Sequence, residues 1–303
     1  MLGAVVAVLI AAGSVMAGGS GLHVAATSTD LASLVATVGG DVVRVESLTP
    51  PLHDPHTVTL KPNQLARLKT ADLLVRVGLD HEPWLARALR ALTDTRLRAG
   101  TPHDLDLSRA VDVIAAETPR LGMERRPHVH GYGNPHYWLD PANGRPMATA
   151  IAAALTTLAP AHRAIFDANR ARFLERLDAG IAQWQAALAP HRGARVVVVH
   201  DSWPYFARRF GLTIVAAVEA TPGVPPSAAT VSALIERMRD GTVAALIAEP
   251  WADAALVRQI ASRSGVPDVL LVPSVGGDPE ARDYIALFDV NVRRLAAVLA
   301  KRH

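Results

Sequence analysis

Short apolar runs alternate with segments whose apolar side chains recur every three or four positions along the first quarter of the chain. The runs at 22–27, 42–45 and 72–77 predict buried strands, because they are short and rich in valine, leucine and alanine. The segments at 30–38 and 64–71 predict helices between these strands. Strands and helices that alternate in this way favour a parallel sheet covered on both faces by helices.

The same alternation returns after residue 194 and predicts a second unit of the same kind. Four strands are expected there, each followed by a helix. The predicted strands are 196–199, 212–218, 243–248 and 269–272, and the predicted helices are 203–210, 228–239, 252–264 and 284–301. We therefore predict the α/β class, with two lobes that each contain a mainly parallel sheet flanked by helices.

A long stretch between the two units has the pattern of one helix from about 160 to 188. Its large apolar residues recur at helical spacing: Phe166, Phe173, Leu177, Ile181, Trp184 and Leu188. A helix of this length would span roughly 40 Å, which suits a rigid connection between two lobes. The predicted division is an N-terminal lobe (22–159), a connecting helix (160–189) and a C-terminal lobe (190–303). Because ligands of such sheets bind beyond the carboxyl ends of the strands, we expect a site in the cleft between the lobes.

The N-terminal segment has the character of a secretory signal peptide. Residues 2–17 are apolar, and Val15-Met16-Ala17 is close to the small-x-small pattern of a cleavage site. We predict a signal peptide over 1–17, extending at most to 21, and a periplasmic protein. No Lys or Arg precedes the apolar run, which departs from the usual signal-peptide pattern. An uncleaved apolar anchor is the alternative. No cysteine follows the run, so a lipoprotein is not expected.

Composition narrows the possible chemistry. Half of the residues are hydrophobic and 19% are charged, which is typical of a folded chain rather than a disordered one. The chain has no cysteine, so a metal would need histidine, carboxylate, carbonyl or water ligands. The net charge of +3 is spread along the sequence rather than collected in a basic block, so nucleic acid is not expected as a partner.

Three histidines fall where predicted strands lead into the cleft. His200 follows the strand 196–199 directly, His56 lies in the loop after the first lobe's second strand, and His136 lies in the later loop Gly-Asn-Pro-His-Tyr-Trp. Glu249 follows the strand that ends at residue 248 in the same way. Each has an ordinary alternative as a loop, capping or hydrogen-bonded residue. The residues are too far apart in sequence for a local metal motif, and periodicity alone does not show that they meet.

Three stretches resemble the metal-binding solute receptors of ABC importers, a family that takes up zinc, manganese or iron. They are His53-Asp54-Pro55-His56 with Leu60-Lys61-Pro62, Asn134-Pro135-His136-Tyr137-Trp138-Leu139-Asp140-Pro141, and Val199-His200-Asp201-Ser202-Trp203. The resemblance runs from about residue 22 to the end of the chain. It implies two α/β lobes joined by a rigid helix, with a metal ion in the cleft held by His56, His136 and His200.

The implied ligand set favours Zn²⁺, because imidazole suits zinc whereas harder ions such as Mn²⁺ prefer carboxylate-rich sets. Mn²⁺ or Fe²⁺ is the alternative cargo within the same family. Many relatives carry an aspartate near the last strand, and the matching segment here, 271–277, has none. The candidates for the fourth coordination position of the metal are water, Glu249, Asp278 and Asp283. Glu249 is favoured, with the orientation of a ligand histidine as its alternative role.

The remaining histidines are given no ligand role. His128 and His130 lie in a short version of the histidine-rich loop that many zinc receptors carry, and we favour a solvated loop over a zinc-recruiting one. Six others are expected to be surface or packing residues: His23, His81, His103, His162, His191 and His303.

The resemblance implies a binding protein and not an enzyme. Such a protein would capture Zn²⁺ outside the cytoplasmic membrane and deliver it, as a monomer, to an ABC permease, with a metal chaperone as a further partner. A zinc-dependent hydrolase is the rival hypothesis, because three histidines and a water also form a catalytic zinc site and Glu249 could serve as its general base. Neither His-Glu-x-x-His nor Gly-x-Ser-x-Gly occurs in the chain, which favours the binding protein.

Overall fold

The computed structural model describes residues 21–53, 56, 58–92, 96–114, 133–219 and 224–302. The predicted signal peptide, the loop histidines His128 and His130, and His303 lie outside these residues. Within them, the predicted α/β class is confirmed: two parallel four-stranded sheets are flanked by helices and connected through one long helix. Of the helices in this part of the chain, none combines the length and the apolar character that crossing a membrane requires.

The N-terminal lobe is built on a parallel sheet with the strand order β2-β1-β3-β4. Its elements are β1 (Leu22–Ala26), α1 (Thr29–Gly39), β2 (Val43–Ser47), α2 (Pro62–Thr70), β3 (Leu73–Arg76), α3 (Leu85–Arg90) and β4 (Asp104–Asp106). The hydroxyl of Ser28 accepts a hydrogen bond from the Leu31 N–H and caps α1. All four carboxyl ends lie at the same edge of the sheet, as parallel pairing requires.

Two helices follow, α4 (Gly144–Leu158) and α5 (Arg163–Leu188). The 26 residues of α5 agree with the predicted connecting helix, and short 3₁₀ turns at Pro160–His162 and Ala189–His191 flank it. The indole of Trp184 on α5 packs against Phe288 with 5.1 Å between ring centroids, and its N–H donates to Asp289 at 2.8 Å. This contact attaches the connecting helix to the last helix of the chain.

The C-terminal lobe repeats the topology of the first, with the strand order β6-β5-β7-β8, all parallel. Its elements are β5 (Arg195–Val198), α6 (Pro204–Phe210), β6 (Thr213–Ala217), α7 (Ala228–Met238), β7 (Val243–Ala248), α8 (Ala254–Ser264), β8 (Asp268–Leu270) and α9 (Tyr284–Leu299). The last strand ends before the predicted residue 272. The reason is local, because the backbone N–H of Val272 donates to the side chain of Asn291 at 2.9 Å.

One hydrophobic core extends through both lobes. Val24 and Ala26 of β1 face it, together with side chains of α1, α4, α5, α6 and α9, whereas Ala25 faces a smaller core under α2 and α3. A third core lies under α7 and α8. Separating the lobes would expose part of the central core at a cost of about 25 cal/mol per Å² of apolar surface. The shared core therefore accounts for a rigid connection.

Polar contacts also join the lobes. The carboxylate of Asp140 binds the Arg209 guanidinium of α6 through two hydrogen bonds, of 2.6 Å and 2.9 Å, and also accepts from the Ala142 N–H. Asp30 on α1 accepts from the backbone N–H of Val275 at 2.9 Å. Burial raises the pKa of Asp30 to about 7, although this hydrogen bond acts in the opposite direction.

Candidate metal centre

Three histidines from the two lobes meet in the cleft. His56 and His136 come from loops of the N-terminal lobe, and His200 lies just beyond β5. One ligand nitrogen of each histidine lies within 4.8 Å of a ligand nitrogen of the other two. Among the described residues, these three side chains form a cluster close enough to bind one metal ion. His136 and His200 are buried and His56 is half-buried. The structure thus brings together the three residues that the resemblance implied.

The three imidazole rings form a nearly equilateral triangle. Their centroids are 5.5 Å apart for His56 and His136, 5.6 Å for His56 and His200, and 5.4 Å for His136 and His200. Imidazoles that bind zinc tetrahedrally at about 2.0–2.1 Å have ring centroids about 5 Å apart. Small ring movements would therefore suffice for the three nitrogens to coordinate one zinc ion.

The ring of His136 is oriented by Asn134. The amide oxygen of Asn134 accepts from the His136 backbone N–H at 2.9 Å and lies 3.0 Å from the ring Nδ1. An amide oxygen can only accept, so Nδ1 carries the ring proton and the metal-binding lone pair is on Nε2. Asn134 is itself fixed by the other lobe, because its amide nitrogen donates to the Asp201 carbonyl at 2.9 Å and its carbonyl accepts from the Tyr205 hydroxyl at 2.8 Å.

The ring of His200 is oriented by a carboxylate. Its Nδ1 lies 3.0 Å from Oε2 of Glu219, which follows β6. A carboxylate that accepts from the Nδ1 proton fixes the ring and makes Nε2 a better metal ligand. Glu219 was not among the predicted site residues. Its position just after the predicted strand 212–218 is the signal that would have found it.

Glu249 lies at the carboxyl end of β7 and is buried, beside the histidine triangle but outside the 4.8 Å cluster. Its Oε1 accepts from the Trp203 indole N–H at 2.7 Å, whereas Oε2 is buried with no hydrogen-bond partner among the described residues. Burial raises the pKa of Glu249 to about 7, although nearby His200 and the Trp203 hydrogen bond both act to lower it.

The two aspartates named as alternative ligands make local contacts elsewhere. Asp278 pairs with Arg294 and accepts from the Glu280 N–H at 2.8 Å. Asp283 caps α9 by accepting from the Ala286 N–H at 2.8 Å. These contacts argue against either aspartate as the fourth ligand.

A fourth histidine, His81, lies against the triangle. It is only 1% exposed, and its ring centroid is 4.7 Å from that of His56 and 5.5 Å from that of His136. His81 was predicted to be a surface or packing residue, and its burial agrees with packing. It follows β3 at the carboxyl edge of the sheet, so the rule that selected His200 would have found it too.

A comparison with protein families then decides the relationship. The family model described as "Zinc-uptake complex component A periplasmic" (ZnuA) matches residues 24–298, which include both lobes, the connecting helix and the three histidines. The chain belongs to this ZnuA family. The predicted resemblance to metal-binding solute receptors is confirmed.

Two ZnuA proteins show the extent of the similarity. The high-affinity zinc uptake system protein ZnuA of Paracoccus denitrificans is 30% identical over 233 residues, which are 70% of this chain and 72% of that protein. The ZnuA protein of Yersinia pestis is 27% identical over 261 residues, which are 82% of this chain and 81% of that protein. Both similarities extend over most of each chain.

Solved structures agree with the ZnuA fold. A crystal structure of ZnuA superposes with a TM-score of 0.77 at 27% identity, covering 92% of this chain and 99% of that one. The solute-binding protein FpvC from Pseudomonas aeruginosa, in complex with Mn²⁺, superposes with a TM-score of 0.78 at 24% identity, covering 93% and 99%. At that identity FpvC supports the fold alone.

Proposed function

We propose that this protein is the periplasmic solute receptor of an ABC importer and that it captures Zn²⁺ between its lobes. The observation that carries the proposal is the triangle of His56, His136 and His200, which spans both lobes. The ZnuA relatives from Paracoccus denitrificans and Yersinia pestis are named for high-affinity zinc uptake. The permease is the proposed partner, the receptor acts as a monomer, and it catalyses no reaction.

We assign the Nε2 atoms of His136 and His200 to the ion, because Nδ1 of each ring is already in a hydrogen bond. His56 supplies the third nitrogen. We assign the fourth position to Glu249, because this carboxylate is buried near His200 and its Oε2 has no hydrogen-bond partner among the described residues, and water is the alternative. In either case the buried carboxylate places negative charge beside the cation.

The donor set supports zinc over manganese. Three imidazoles and at most one carboxylate match the nitrogen-rich sets of zinc, whereas Mn²⁺ is better served by oxygen ligands. The ligands must be deprotonated to bind, so zinc affinity should fall as the pH drops below about 6.5, the ordinary pKa of an imidazole.

The test is a competition titration of Zn²⁺ against Mn²⁺ on metal-stripped protein, with the variants His56→Ala, His136→Ala and His200→Ala. Each should weaken zinc binding by about a hundredfold or more, because it removes a direct ligand. His103→Ala is the matched control, since His103 lies at the amino edge of β4 with its Nδ1 on the Asp72 carbonyl. Tighter binding of Mn²⁺ than of Zn²⁺, or three histidine variants that bind zinc like the control, would contradict the proposal.

A further inference from the structure

His81 lies beside the two zinc-site histidines of the N-terminal lobe, His56 and His136. Its ring contacts those of His56 and His136, at 4.7 Å and 5.5 Å between centroids, and it also packs on the Trp138 indole at 5.1 Å. His56 and His136 are thus shared between two sets of three imidazoles. One set is completed by His200 of the C-terminal lobe, and the other by His81 of the N-terminal lobe.

The backbone before His81 is held in an unusual conformation. Leu79 and Asp80 have φ angles of +56° and +57°, the left-handed region that residues other than glycine rarely adopt. The His81 N–H then donates to the Gly78 carbonyl at 3.0 Å and closes the turn. Strained conformations of this kind persist only where the surroundings impose them, and they cluster at binding sites.

The buried carboxylate of Glu82 imposes this turn. It accepts from the backbone N–H of Val77 at 2.7 Å and of Gly78 at 3.1 Å, and from the Thr27 hydroxyl at 2.5 Å. These bonds fix both ends of the loop to β1 and β3. The loop therefore presents His81 to the cleft as a fixed feature of the lobe.

An apolar residue could fill the same position against Trp138 by packing alone. A histidine at this position adds a nitrogen that can coordinate a metal ion, beside two histidines that already line the proposed zinc site.

We propose that His81, His56 and His136 form a second three-histidine zinc position, which holds the ion within the N-terminal lobe when the His200 ring turns away from the ion. This inference rests on the proposed zinc-receptor function and adds a step to it. In the conformation described, the nitrogens that cluster within 4.8 Å are those of His56, His136 and His200, so His81 joins by rotation of its ring. The ion then passes from a position shared by both lobes to a position in one lobe, and keeps two ligands throughout.

The test is a double-mutant cycle with His200→Ala, His81→Leu and the two combined, measured by zinc competition. We expect His81→Leu alone to change zinc affinity by less than about threefold, since His200 still completes the first set. In the His200→Ala protein, adding His81→Leu should weaken zinc binding by a further tenfold or more, about the effect of losing one ligand in three. His103→Leu in the same background is the matched control and should change nothing.

Co²⁺ gives a spectroscopic readout of the same cycle. The His200→Ala protein should bind Co²⁺ with an altered visible spectrum, and His81→Leu should remove that spectrum. His81→Gln serves as a second variant if the leucine variant does not fold, because glutamine keeps a polar side chain without the imidazole. A His200→Ala protein whose zinc affinity and cobalt spectrum are insensitive to both His81 variants overturns the inference. A wild-type protein that binds no zinc overturns the proposed function instead.

Discussion

The two lobes share one strand order but present their site residues differently. The C-terminal lobe places His200, Glu219 and Glu249 immediately beyond the ends of β5, β6 and β7. The N-terminal lobe places its histidines on longer loops after β2, β3 and β4. In the second lobe the sheet itself sets the positions, and in the first lobe the hydrogen bonds of the loops must do so.

In the N-terminal lobe, side-chain hydrogen bonds fix the loop that carries His136. The Tyr137 hydroxyl donates to the Val77 carbonyl at 2.7 Å, which joins the His136 loop to the end of β3. The Trp138 indole N–H donates to the Pro273 carbonyl at 2.8 Å and attaches the same loop to the other lobe. Sequence changes that tune the metal site should therefore act more readily through these loops than through the second sheet.

The largest expected effect breaks the attachment between the lobes. Asp140→Ala removes the buried partner of Arg209 and should lower the free energy of unfolding by about 3 kcal/mol, because one charge of the pair is left without the other. Urea denaturation measures it. Arg145→Ala is the control, since its pair with Asp178 is about half exposed on both sides and should contribute under about 1 kcal/mol. Equal losses in both variants would show that the interlobe pair has no special role.

The second prediction compares the groups that orient one histidine in each lobe. Asn134→Ala should weaken zinc binding by about tenfold or more, because it frees the His136 ring and removes contacts to the other lobe. Glu219→Gln should cost less, since the amide oxygen still accepts from the His200 Nδ1. Competition titration at pH 7 measures both. A larger effect of Glu219→Gln than of Asn134→Ala would show that zinc binding depends more on the orienting contacts of the C-terminal lobe, which would contradict this prediction.

The smallest expected effect concerns the second interlobe contact, at Asp30. The pKa of Asp30 is raised from 3.8 to about 7 by burial, so the folded protein holds this proton more tightly than the unfolded chain does. The stability from this group is therefore complete below pH 3.8 and is lost as the pH rises through 7. Asp30→Asn keeps an acceptor for the Val275 N–H and does not titrate.

The difference in unfolding free energy between Asp30→Asn and the wild type should consequently grow by about 1 kcal/mol per pH unit between pH 5 and 7, in favour of the variant. Denaturant melts at three pH values are sufficient to measure it. A difference that stays constant over this range would mean that Asp30 titrates normally in the folded protein.

Much of the fold is predictable from the sequence because the apolar pattern is strong. The strand 243–248 agrees with prediction because it is a short continuous apolar run, and the connecting helix agrees nearly residue for residue because its large buried residues recur at helical spacing. The helix α4 and the strand β4 were not predicted. Alanine and threonine make up eight of the 15 residues of α4, so it offers few large apolar residues as a signal, and β4 has only three residues, Asp-Leu-Asp, that depend on pairing with β3.

The site was predictable in part. The motifs around His56, His136 and His200 identified the triangle, whereas periodicity alone could not show that residues so far apart in sequence converge. His81, Glu82 and Glu219 lie outside the three motifs and were not selected, although His81 and Glu219 each follow a predicted strand. Their placement depends on the left-handed turn before His81 and on parallel strand ends meeting at one edge, which are properties of the folded chain.

The continuous core has a consequence for how the importer distinguishes zinc-bound from zinc-free receptor. Since the interior extends through α5 and both sheets, an arriving ion can displace little beyond the rings and loops around it. The surface of the receptor should then be nearly the same with and without zinc. Zinc-free receptor should therefore bind the permease almost as readily as zinc-bound receptor. We expect excess cargo-free protein to slow uptake, so the cell gains from keeping its copy number close to the supply of the ion.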